Sequence, residues 1–350
     1  MTPECKTAAA SGNSAIPAEV EHYDDWDAVA LAAGGALDRA RRDSLFDRLS
    51  WFRLIAAHAP PPGNLLALRA SDGNADAWLF LAVEGRCARA YANWYSLRFA
   101  AIGGAAPLIE ALARGLRARR PAIERVELYP LVSADPLPAA FAAAGWLTST
   151  RPASTSWQID TKDMDFDAYW ATRGSRLRNT AKRKAKAAAL DIVLHTRFDP
   201  DAWNAYEAVY ARSWKPAEGS PAFLRALAEQ EGAAGTLRLG IASKDGKPIA
   251  AQLWLVESGV ATIHKLAYAE ETRDLSPGTI LSVAMFRHAL DIDKVERIDF
   301  GTGDDGYKAD WMERSEPLDR MIAFNPSTPG GWAGAARAKA SELVRRVLSH

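Results

Sequence analysis

The order of strand-like and helix-like segments occurs twice along the chain, and this repeat constrains the fold more than any other feature. In each half, three short apolar segments precede a helix, a strand, a second helix and a last strand. In the first half these segments are 65–70, 77–85, 86–94, 105–119, 124–131, 136–145 and a strand that starts at Trp146. In the second half they are 236–243, 247–257, 260–268, 277–290, 297–300, 307–312 and a strand near 318–324. This order predicts an α/β (α+β) fold with a mixed sheet, built twice.

The composition is that of an ordinary globular protein with 350 residues, of which 48% are hydrophobic. The net charge is zero, so we expect no nucleic-acid partner. Two cysteines, Cys5 and Cys87, cannot form a disulfide framework or a zinc site, which favours the cytoplasm and predicts no metal. No apolar run approaches the roughly 18 residues that span a bilayer, and the first 20 residues lack a signal peptide's pattern.

The segment 169–190 is strongly basic, with no acid between Asp167 and Asp191. Small apolar residues recur at helical spacing: Leu177, Ala181, Ala185 and Ala188. Basic residues cover the other faces: Arg176, Arg178, Lys182, Arg183, Lys184 and Lys186. Three interpretations stay open, namely a solvated helix face, a contact for carrier phosphates or an acidic carrier protein, and a contact with anionic lipid.

The C-terminal segment 332–350 is a second basic amphipathic helix, with Trp332, Leu343, Val347 and Leu348 as its apolar members. Two such segments in a net-neutral chain favour a substrate at a membrane surface.

The stretch "SPGTIL" (276–281) opens the helix 277–290. Ser276 is a good helix cap and Pro277 fits the first helical position. The free backbone N–H groups of Gly278, Thr279 and Ile280 would then suit a pyrophosphate. An ordinary helix cap is the alternative.

The stretch "RIDFGTGDDGYKADWM" (297–312) crowds glycines, acids and a Tyr-Lys pair at the end of a strand. Turn chemistry explains glycine and aspartate. It does not require Tyr307 and Lys308, which would otherwise be a core aromatic and an exposed lysine. Strand ends are where α/β folds bind ligands, so this stretch is a candidate site.

Together, the basic helix, "SPGTIL" and "DFGTGDDGYKADW" (299–311) resemble the tandem GNAT acyltransferases with a BioF2-like (cellulose-biosynthesis acetyltransferase-like) domain. These proteins are relatives of the Fem peptidyltransferases, and the resemblance covers about residues 40–325. It implies a disordered leader and lead-in segment (1–40) and a degenerate GNAT-like domain (41–160). A catalytic GNAT-like domain preceded by the basic helix (161–328) and an amphipathic tail (329–350) would follow.

The resemblance implies acyl transfer from a thioester to an amine acceptor. The usual GNAT phosphate loop is absent, because "RDLSPGT" (273–279) has a single glycine. Acyl-CoA is the expected donor, and an acyl carrier protein is the alternative. The preferred acceptor is an amino lipid such as a sphingoid base, as in the bacterial ceramide synthases. A polysaccharide or peptidoglycan precursor is the alternative acceptor, and an inactive binding module in envelope assembly is the alternative from another class. The location would be cytoplasmic or peripheral on the inner membrane face.

Such a reaction needs a base, a group that stabilises the oxyanion, and an acid for the leaving thiolate. His264 titrates near neutrality and is the candidate base, with a hydrogen-bonded buried histidine as the alternative. Three acids would hold the amine or polarise His264: Asp299, Asp304 and Asp305. By resemblance, Lys308 stabilises the reacting carbonyl and Tyr307 protonates the thiolate. The segment "ANWYSLRF" (92–99) would add aromatic surface to the cleft, or would simply pack in the core.

Overall fold

The computed structural model describes the backbone of residues 18–348 and the side chains of residues 18–341, and its 12 strands form one mixed sheet. The strands are β1 (Glu19–Tyr23), β2 (Asn64–Ser71), β3 (Asp76–Glu84), β4 (Cys87–Ala90), β5 (Arg125–Val132), β6 (Leu147–Asp160), β7 (Asp191–His195), β8 (Leu237–Lys244), β9 (Lys247–Glu257), β10 (Val260–Tyr268), β11 (Arg297–Thr302) and β12 (Arg314–Phe324). Their order across the sheet is β1-β2-β3-β4-β5-β12-β6-β11-β10-β9-β8-β7.

The helices cover both faces of this sheet. They are α1 (Trp26–Ala33), α2 (Leu49–His58), α3 (Ala106–Ala118), α4 (Leu137–Ala143), α5 (Phe166–Thr172), α6 (Ser175–Ala188), α7 (Pro200–Ala211), α8 (Pro221–Ala233), α9 (Pro277–Asp291) and α10 (Pro329–Leu348). Short 3₁₀ segments lie at Arg39–Arg41, Leu45–Asp47, Glu270–Leu275 and Gly306–Asp310. Asp25, Asp199 and Ser220 accept hydrogen bonds from backbone amides at the starts of α1, α7 and α8, which satisfies donors that have no partner within the helix.

The order of elements repeats, as the sequence predicts. A strand, two helices, three strands, a helix, a strand, a short helical segment and a last strand run from β1 to β6 and again from β7 to β12. The predicted mixed-sheet α/β fold, built twice, is therefore confirmed.

Residues 1–40, predicted as a disordered leader and an entry segment, are ordered from Glu19 onward. Strand β1 pairs with β2 from Glu19↔Ser71 to Tyr23↔Ala67, and α1 follows it. These residues are ordered because β1 satisfies the backbone groups along the edge of β2. The rest of the predicted leader, residues 1–17, lies outside the described residues.

The predicted basic helix is divided into α5 and α6. Gly174 has an extended backbone conformation (φ −56°, ψ 141°), so one helix ends before it and the next begins after it. Leu177, Ala181 and Ala188 are buried as the apolar stripe predicts, whereas Ala185 is exposed. The C-terminal helix is present as α10, but Leu343, Val347 and Leu348 lie beyond the described side chains.

The two halves exchange their last strands. Strand β12 pairs with β5 of the first half, from Leu318↔Val132 to Phe324↔Arg125. Strand β6 pairs with β11 of the second half, beginning at Arg297↔Asp160. The exchanged strands also pair with each other over most of their length. The sheet is therefore continuous because each half supplies the strand that borders the other half.

A shared hydrophobic core joins the halves on the face covered by α1, α2, α7 and α8. Trp51 of α2 meets the ring of Phe223 of α8 edge-on at 5.4 Å, and Tyr95 stacks on Phe223 at 4.4 Å. Aromatic pairs of this kind contribute about 0.5–1.5 kcal/mol each beyond their buried area. On the opposite face, α3 and α4 cover the first half, while α5, α6 and α9 cover the second.

Candidate active site

The parallel strands β10 and β11 separate partway along their length. They pair from Val260↔Arg297 to Thr262↔Asp299. Beyond this point, β10 bulges between Ile263 and Lys265, and the pairing of β11 with β6 shifts register. The strands diverge and leave a cleft of about 190 Å³. Its polar side chains include Tyr95, Lys215, His264, Lys265, Thr302, Asp305, Tyr307 and Lys308.

Lys308 lies in the 3₁₀ segment after β11 and is only 3% exposed. Its Nζ donates hydrogen bonds to the carbonyl oxygens of Thr302 (2.7 Å) and Gly303 (3.2 Å), and lies 5.4 Å from the ring centre of Phe300. Gly303 has φ +114°, a conformation that residues with side chains rarely adopt. Burial lowers the pKa of Lys308, and the charge of Asp305 opposes this shift. The glycine-rich turn therefore fixes a largely dehydrated lysine amine at the edge of the cleft.

Asp299 is the last residue of the paired stretch of β11. Its carboxylate accepts a hydrogen bond from the Gly301 amide (2.7 Å) and a longer one from the Ser156 hydroxyl (3.5 Å). Burial raises the pKa of Asp299, although these bonds and the charge of Lys308 oppose the shift. Asp299 lines a second cavity and does not line the cleft.

Of the remaining predicted residues in this stretch, the cleft contains Asp305 and Tyr307 but not Asp304, which is exposed. One carboxylate oxygen of Asp305 lies 3.8 Å from Lys308 Nζ. Tyr307 is 42% exposed and meets Phe300 edge-on at 5.7 Å. Burial raises the pKa of the Tyr307 hydroxyl, and Asp305 adds to the effect. Tyr307 is therefore protonated at neutral pH and can donate a proton in the cleft.

His264 lies in the β10 bulge with 8% of its surface exposed, stacked on Tyr95 at 6.3 Å. Neither ring nitrogen has a hydrogen-bond partner among the described residues. Burial, with a contribution from the charge of Lys265, lowers the pKa of His264 to about 3. Burial and the neighbouring positive charge of Lys265 therefore disfavour the imidazolium, and the role of His264 as the base stays a prediction.

Three residues in or beside the cleft were not singled out by the sequence pattern: Lys215 and Lys265, which line it, and Glu218, which pairs with Lys265. The Glu218 carboxylate accepts a hydrogen bond from the Tyr95 hydroxyl (2.6 Å) and pairs with Lys265 (3.1 Å). Lys215 lies beside this group on the loop after α7. Burial, together with the charges of Lys265 and Lys308, lowers the pKa of Lys215 to about 8. The only sequence signal was the Pro- and Gly-containing stretch 215–221, which predicts a loop.

The first half supplies one wall of the cleft through the segment 92–99, as one of the two interpretations of that segment predicts. Trp94, Tyr95 and Leu97 all line it. Gly301, with φ +66°, passes close to Leu97: a Cβ built on Gly301 would lie 3.4 Å from both Leu97 methyl groups. Leu97 thus separates the cleft from the second cavity.

The second cavity, here called the chamber, has a volume of about 640 Å³. Residues on one face of β10, β11, β6 and β12 form its floor, and residues 43–46 contribute to its wall. Apolar side chains dominate one side: Leu45, Phe46, Val132, Leu255, Val260 and Leu318. Polar and charged residues line the chamber as well: Asp43, Ser44, Arg98, Ser156, Gln158, Glu257, Ser258, Thr262, Arg297 and Asp299. A cavity of this size is typical of small-molecule sites.

The start of α9 differs from the predicted cap. Ser276 has a left-handed backbone (φ +55°) and makes no side-chain capping bond. The Ile280 amide donates to the Ser276 carbonyl (3.2 Å), so Gly278 and Thr279 keep the candidate phosphate-binding N–H groups. These four residues do not line the cleft. Tyr268 links the start of α9 to the loop that carries Lys215, because its ring lies tilted against the Trp214 ring at 4.5 Å and contacts Gly278.

Helix α6 packs beside this helix start, and its Lys184 donates a hydrogen bond to the Asp274 carbonyl in the preceding 3₁₀ segment. Arg176, Lys182 and Arg183 are exposed. Arg178 is half-buried, and its Nε is enclosed without a hydrogen-bond partner in the described part of the chain. The structure therefore brings basic side chains to the same end of the molecule as the α9 amides.

No group of three or more His, Cys, Asp or Glu side chains among the described residues could hold a metal ion. No helix in this part of the chain combines the length and apolar character needed to cross a membrane.

Comparisons with known proteins agree on one fold. Residues 173–309 match the family model described as acetyltransferase (GNAT) domain. The C-terminal domain of a putative lysylphosphatidylglycerol synthetase from Agrobacterium fabrum is similar, with 17% identity over 91% of this chain and 96% of that chain, and a TM-score of 0.58. FemX is 8% identical to this chain, over 87% of this chain and 98% of FemX, with a TM-score of 0.59. A tandem GNAT protein from the clavulanic acid biosynthesis pathway is 18% identical, over 89% of this chain and 100% of that chain, with a TM-score of 0.50. No curated protein sequence is significantly similar.

The fold and the matched domain define an acyltransferase of the GNAT type. The chain has the tandem GNAT fold, and the matched segment contains His264, Asp299 and Lys308. The predicted resemblance to GNAT acyltransferases is confirmed.

Proposed function

We propose that this protein transfers an acyl group from a thioester, with acyl-CoA as the donor, to the nitrogen of an amino lipid such as a sphingoid base. One observation carries the proposal: Lys308 is fixed at the end of the split strand pair, beside a small polar cleft that adjoins a larger, mainly apolar chamber. A thioester fits the split between β10 and β11, and an amine with an aliphatic chain fits the chamber.

Lys308 is suited to stabilise the oxyanion that forms on the thioester carbonyl. Its ammonium donates two hydrogen bonds to carbonyl oxygens and retains a third proton for the reacting oxygen. Because it is nearly dehydrated, its charge acts more strongly than that of an exposed lysine. Tyr307, protonated and partly exposed in the same cleft, is placed to give a proton to the departing thiolate.

Asp299 and its neighbours are suited to receive the amine. The carboxylate lies where the chamber approaches the cleft, with Leu97 between the two cavities. An ammonium beside Asp299 would have its nitrogen directed toward the cleft, while its aliphatic part contacts Leu45, Phe46 and Leu318. The Agrobacterium relative, by its printed name, acts on a lipid, which agrees with an amino-lipid acceptor.

The donor's phosphates would bind at the start of α9, through the amides of Gly278 and Thr279 and the basic residues of α6. This arrangement suits the pyrophosphate of CoA and also the single phosphate of an acyl carrier protein. Competition between acyl-CoA and an acylated carrier protein for the same acceptor distinguishes the two donors.

The assay that tests the function combines radiolabelled acyl-CoA of several chain lengths with three amine classes: a sphingoid base, an amino sugar polymer and a peptidoglycan-type peptide. We expect N-acyl product with the sphingoid base. Product only with the sugar or peptide would replace the acceptor class. Acyl-CoA binding without any product would identify an inactive binding module. Lys308→Met serves as the control for uncatalysed acylation.

A peripheral location on the inner membrane face follows from the same proposal. Lys182 and Lys186 are exposed on α6, and each basic residue near an anionic surface contributes about 1 kcal/mol. Lys182→Glu with Lys186→Glu should weaken cosedimentation with anionic vesicles, whereas Arg114→Glu on the exposed face of α3 should not. Equal binding by both variants would remove α6 from the membrane contact.

A further inference from the structure

The proposed reaction leaves one proton without an acceptor. An aliphatic amine has a pKa near that of lysine, about 10, so it arrives as an ammonium and must lose a proton before it attacks. His264 is a poor acceptor, because burial lowers its pKa to about 3. Its ring nitrogens are also enclosed without partners in the described part of the chain.

The other cleft groups are already engaged. Lys265 and Glu218 form an ion pair at 3.1 Å, and Glu218 also accepts the Tyr95 hydroxyl proton. Lys308 donates to two backbone carbonyls, and Asp305 lies 3.8 Å from it. Tyr307 is protonated at neutral pH because burial raises its pKa.

Lys215 differs from all of these. It is half-buried on the loop between α7 and α8, and it lines the same cleft as Lys308. In the described residues its Nζ has no hydrogen bond or ion pair, and its recorded contact is with the Trp214 ring at 5.7 Å. The Trp214 ring packs against Tyr268, which contacts the start of α9. Lys215 thus lies between the candidate phosphate site and the reacting centre, with its amine free.

We propose that Lys215, as the neutral amine, accepts the proton that the acceptor's ammonium loses before it attacks the thioester. This inference rests on the proposed function and adds a catalytic group to it. The freed nitrogen forms the C–N bond, the carbonyl electron pair moves to oxygen near Lys308, and its return breaks the C–S bond. Tyr307 gives its proton to the departing thiolate and takes up the second amine proton, and Lys215 then releases the first proton to solvent. One proton is released per turnover.

The surroundings keep the neutral form of Lys215 accessible at physiological pH. Burial and the positive charges of Lys265 and Lys308 lower its pKa to about 8, and Asp305 and Glu218 partly oppose them. The remaining titratable groups of the cleft are Tyr95, His264 and Tyr307. Burial raises the pKa of both tyrosines and lowers that of the histidine, so all three are uncharged at pH 7. Below pH 8 the fraction of neutral Lys215 falls about tenfold per pH unit, so turnover at saturating substrates should fall with the same slope.

The test measures kcat against pH for the wild type, Lys215→Arg and Lys215→Ala, with Lys247→Arg at the exposed start of β9 as the matched control. Arginine keeps the positive charge but does not give up its proton. Lys215→Arg should therefore lose about 10²-fold in kcat or more and also lose the inflection near pH 8, with an unchanged melting temperature. Lys247→Arg should behave as the wild type.

Three results would overturn the inference. A Lys215→Arg variant with wild-type turnover and pH profile excludes proton transfer. Loss in Lys215→Ala with retention in Lys215→Arg assigns a charge role instead. If the wild type forms no N-acyl product with any amine, the proposed function fails and the base role fails with it, whereas the first two results leave the proposed function intact.

Discussion

The two halves contain the same parallel strand pair, and they use it differently. In the second half, β10 and β11 diverge beyond Thr262↔Asp299, and the gap stays open. In the first half, β4 and β5 pair through Arg89↔Glu127. The chain after β4 then folds back across the gap, where the Phe99 amide donates to the Pro130 carbonyl (2.6 Å) and the Phe99 ring is 4% exposed. One crevice is sealed and the other is available to a substrate.

The segment that seals the first crevice also lines the second. Phe99 lies in the first half's core, whereas Trp94, Tyr95 and Leu97 of the same segment reach into the active-site cleft. The segments that follow β5 and β11 differ correspondingly. After β5 comes a helix, α4, with Leu137 and Phe141 fully buried, whereas after β11 comes a glycine-rich turn with Lys308. A repeated fold can therefore give up one site and use the released segment to complete the other.

Opening the seal should produce the largest effect. Phe99→Ala removes a buried aromatic ring and should destabilise the protein by about 3–5 kcal/mol. Trp94→Ala, in the same segment but 61% exposed, should change the stability by less than about 1 kcal/mol. Urea denaturation measures both. Similar losses in the two variants would mean that the segment acts as one structural unit, without a division between seal and cleft wall.

Removing one charged side chain from each crevice should have effects on kcat that differ almost as much. Lys308→Ala should lower kcat by about 10²–10³-fold, because it removes a preorganised donor to the oxyanion. Arg125→Ala, in the ion pair with Glu127 of the first crevice, should leave kcat unchanged. Steady-state kinetics with matched melting temperatures provide the comparison. Full activity of a folded Lys308→Ala variant would remove Lys308 from the mechanism.

Buried His264 should make stability depend on pH. The unfolded chain binds a proton at His264 below pH 6.5, whereas the folded chain does so only below a pKa of about 3. Stability should therefore fall by about 1.4 kcal/mol per unit as the pH decreases through this window. His264→Phe should have a shallower dependence than the wild type, and His58→Gln, at an exposed position of the first half, should not. Parallel curves for all three proteins would show that His264 is accessible to protons in the folded state.

The smallest expected effect is on the thioester KM when a residue at the start of a helix is replaced. A valine at Gly278 would press on Tyr268, since a Cβ there lies 3.2 Å from its ring, and would hinder a phosphate at the α9 amides. Gly278→Val should raise the KM for the thioester about two- to fivefold, the scale of an anion at a helix N-terminus, and leave the KM for the amine unchanged. Ala106→Val at the start of α3 is the control. An unchanged thioester KM in a folded variant would place the donor's phosphates elsewhere, with α6 the next candidate.

Local sequence patterns were sufficient for the elements and for part of the site. Strand and helix periodicities depend on nearby residues, so the repeat and the position of Lys308 at a strand end could be predicted. The strand exchange could not, because the pairing of β12 with β5 joins residues far apart in sequence and has no local signature. The same holds for Lys215, Glu218 and Tyr95, which meet only after both halves pack together.

The enclosure of His264 was also beyond local reasoning. Strand alternation puts its side chain on the correct face, but the bulge after Ile263 and the packing of Tyr95 determine its burial. Residue type alone gives the ordinary pKa of a histidine, and the folded environment decides how far the actual value departs from it.

The exchange of β6 and β12 has a consequence for how this protein could be divided or recombined. A gene fragment that ends at residue 160 would encode β5 without its neighbour β12, and the complementary fragment would encode β11 without β6. Each fragment would carry a bare interior edge and a strand with no place in its own sheet. The two halves must therefore be inherited, truncated or grafted as one unit, although each has the element order of a complete domain.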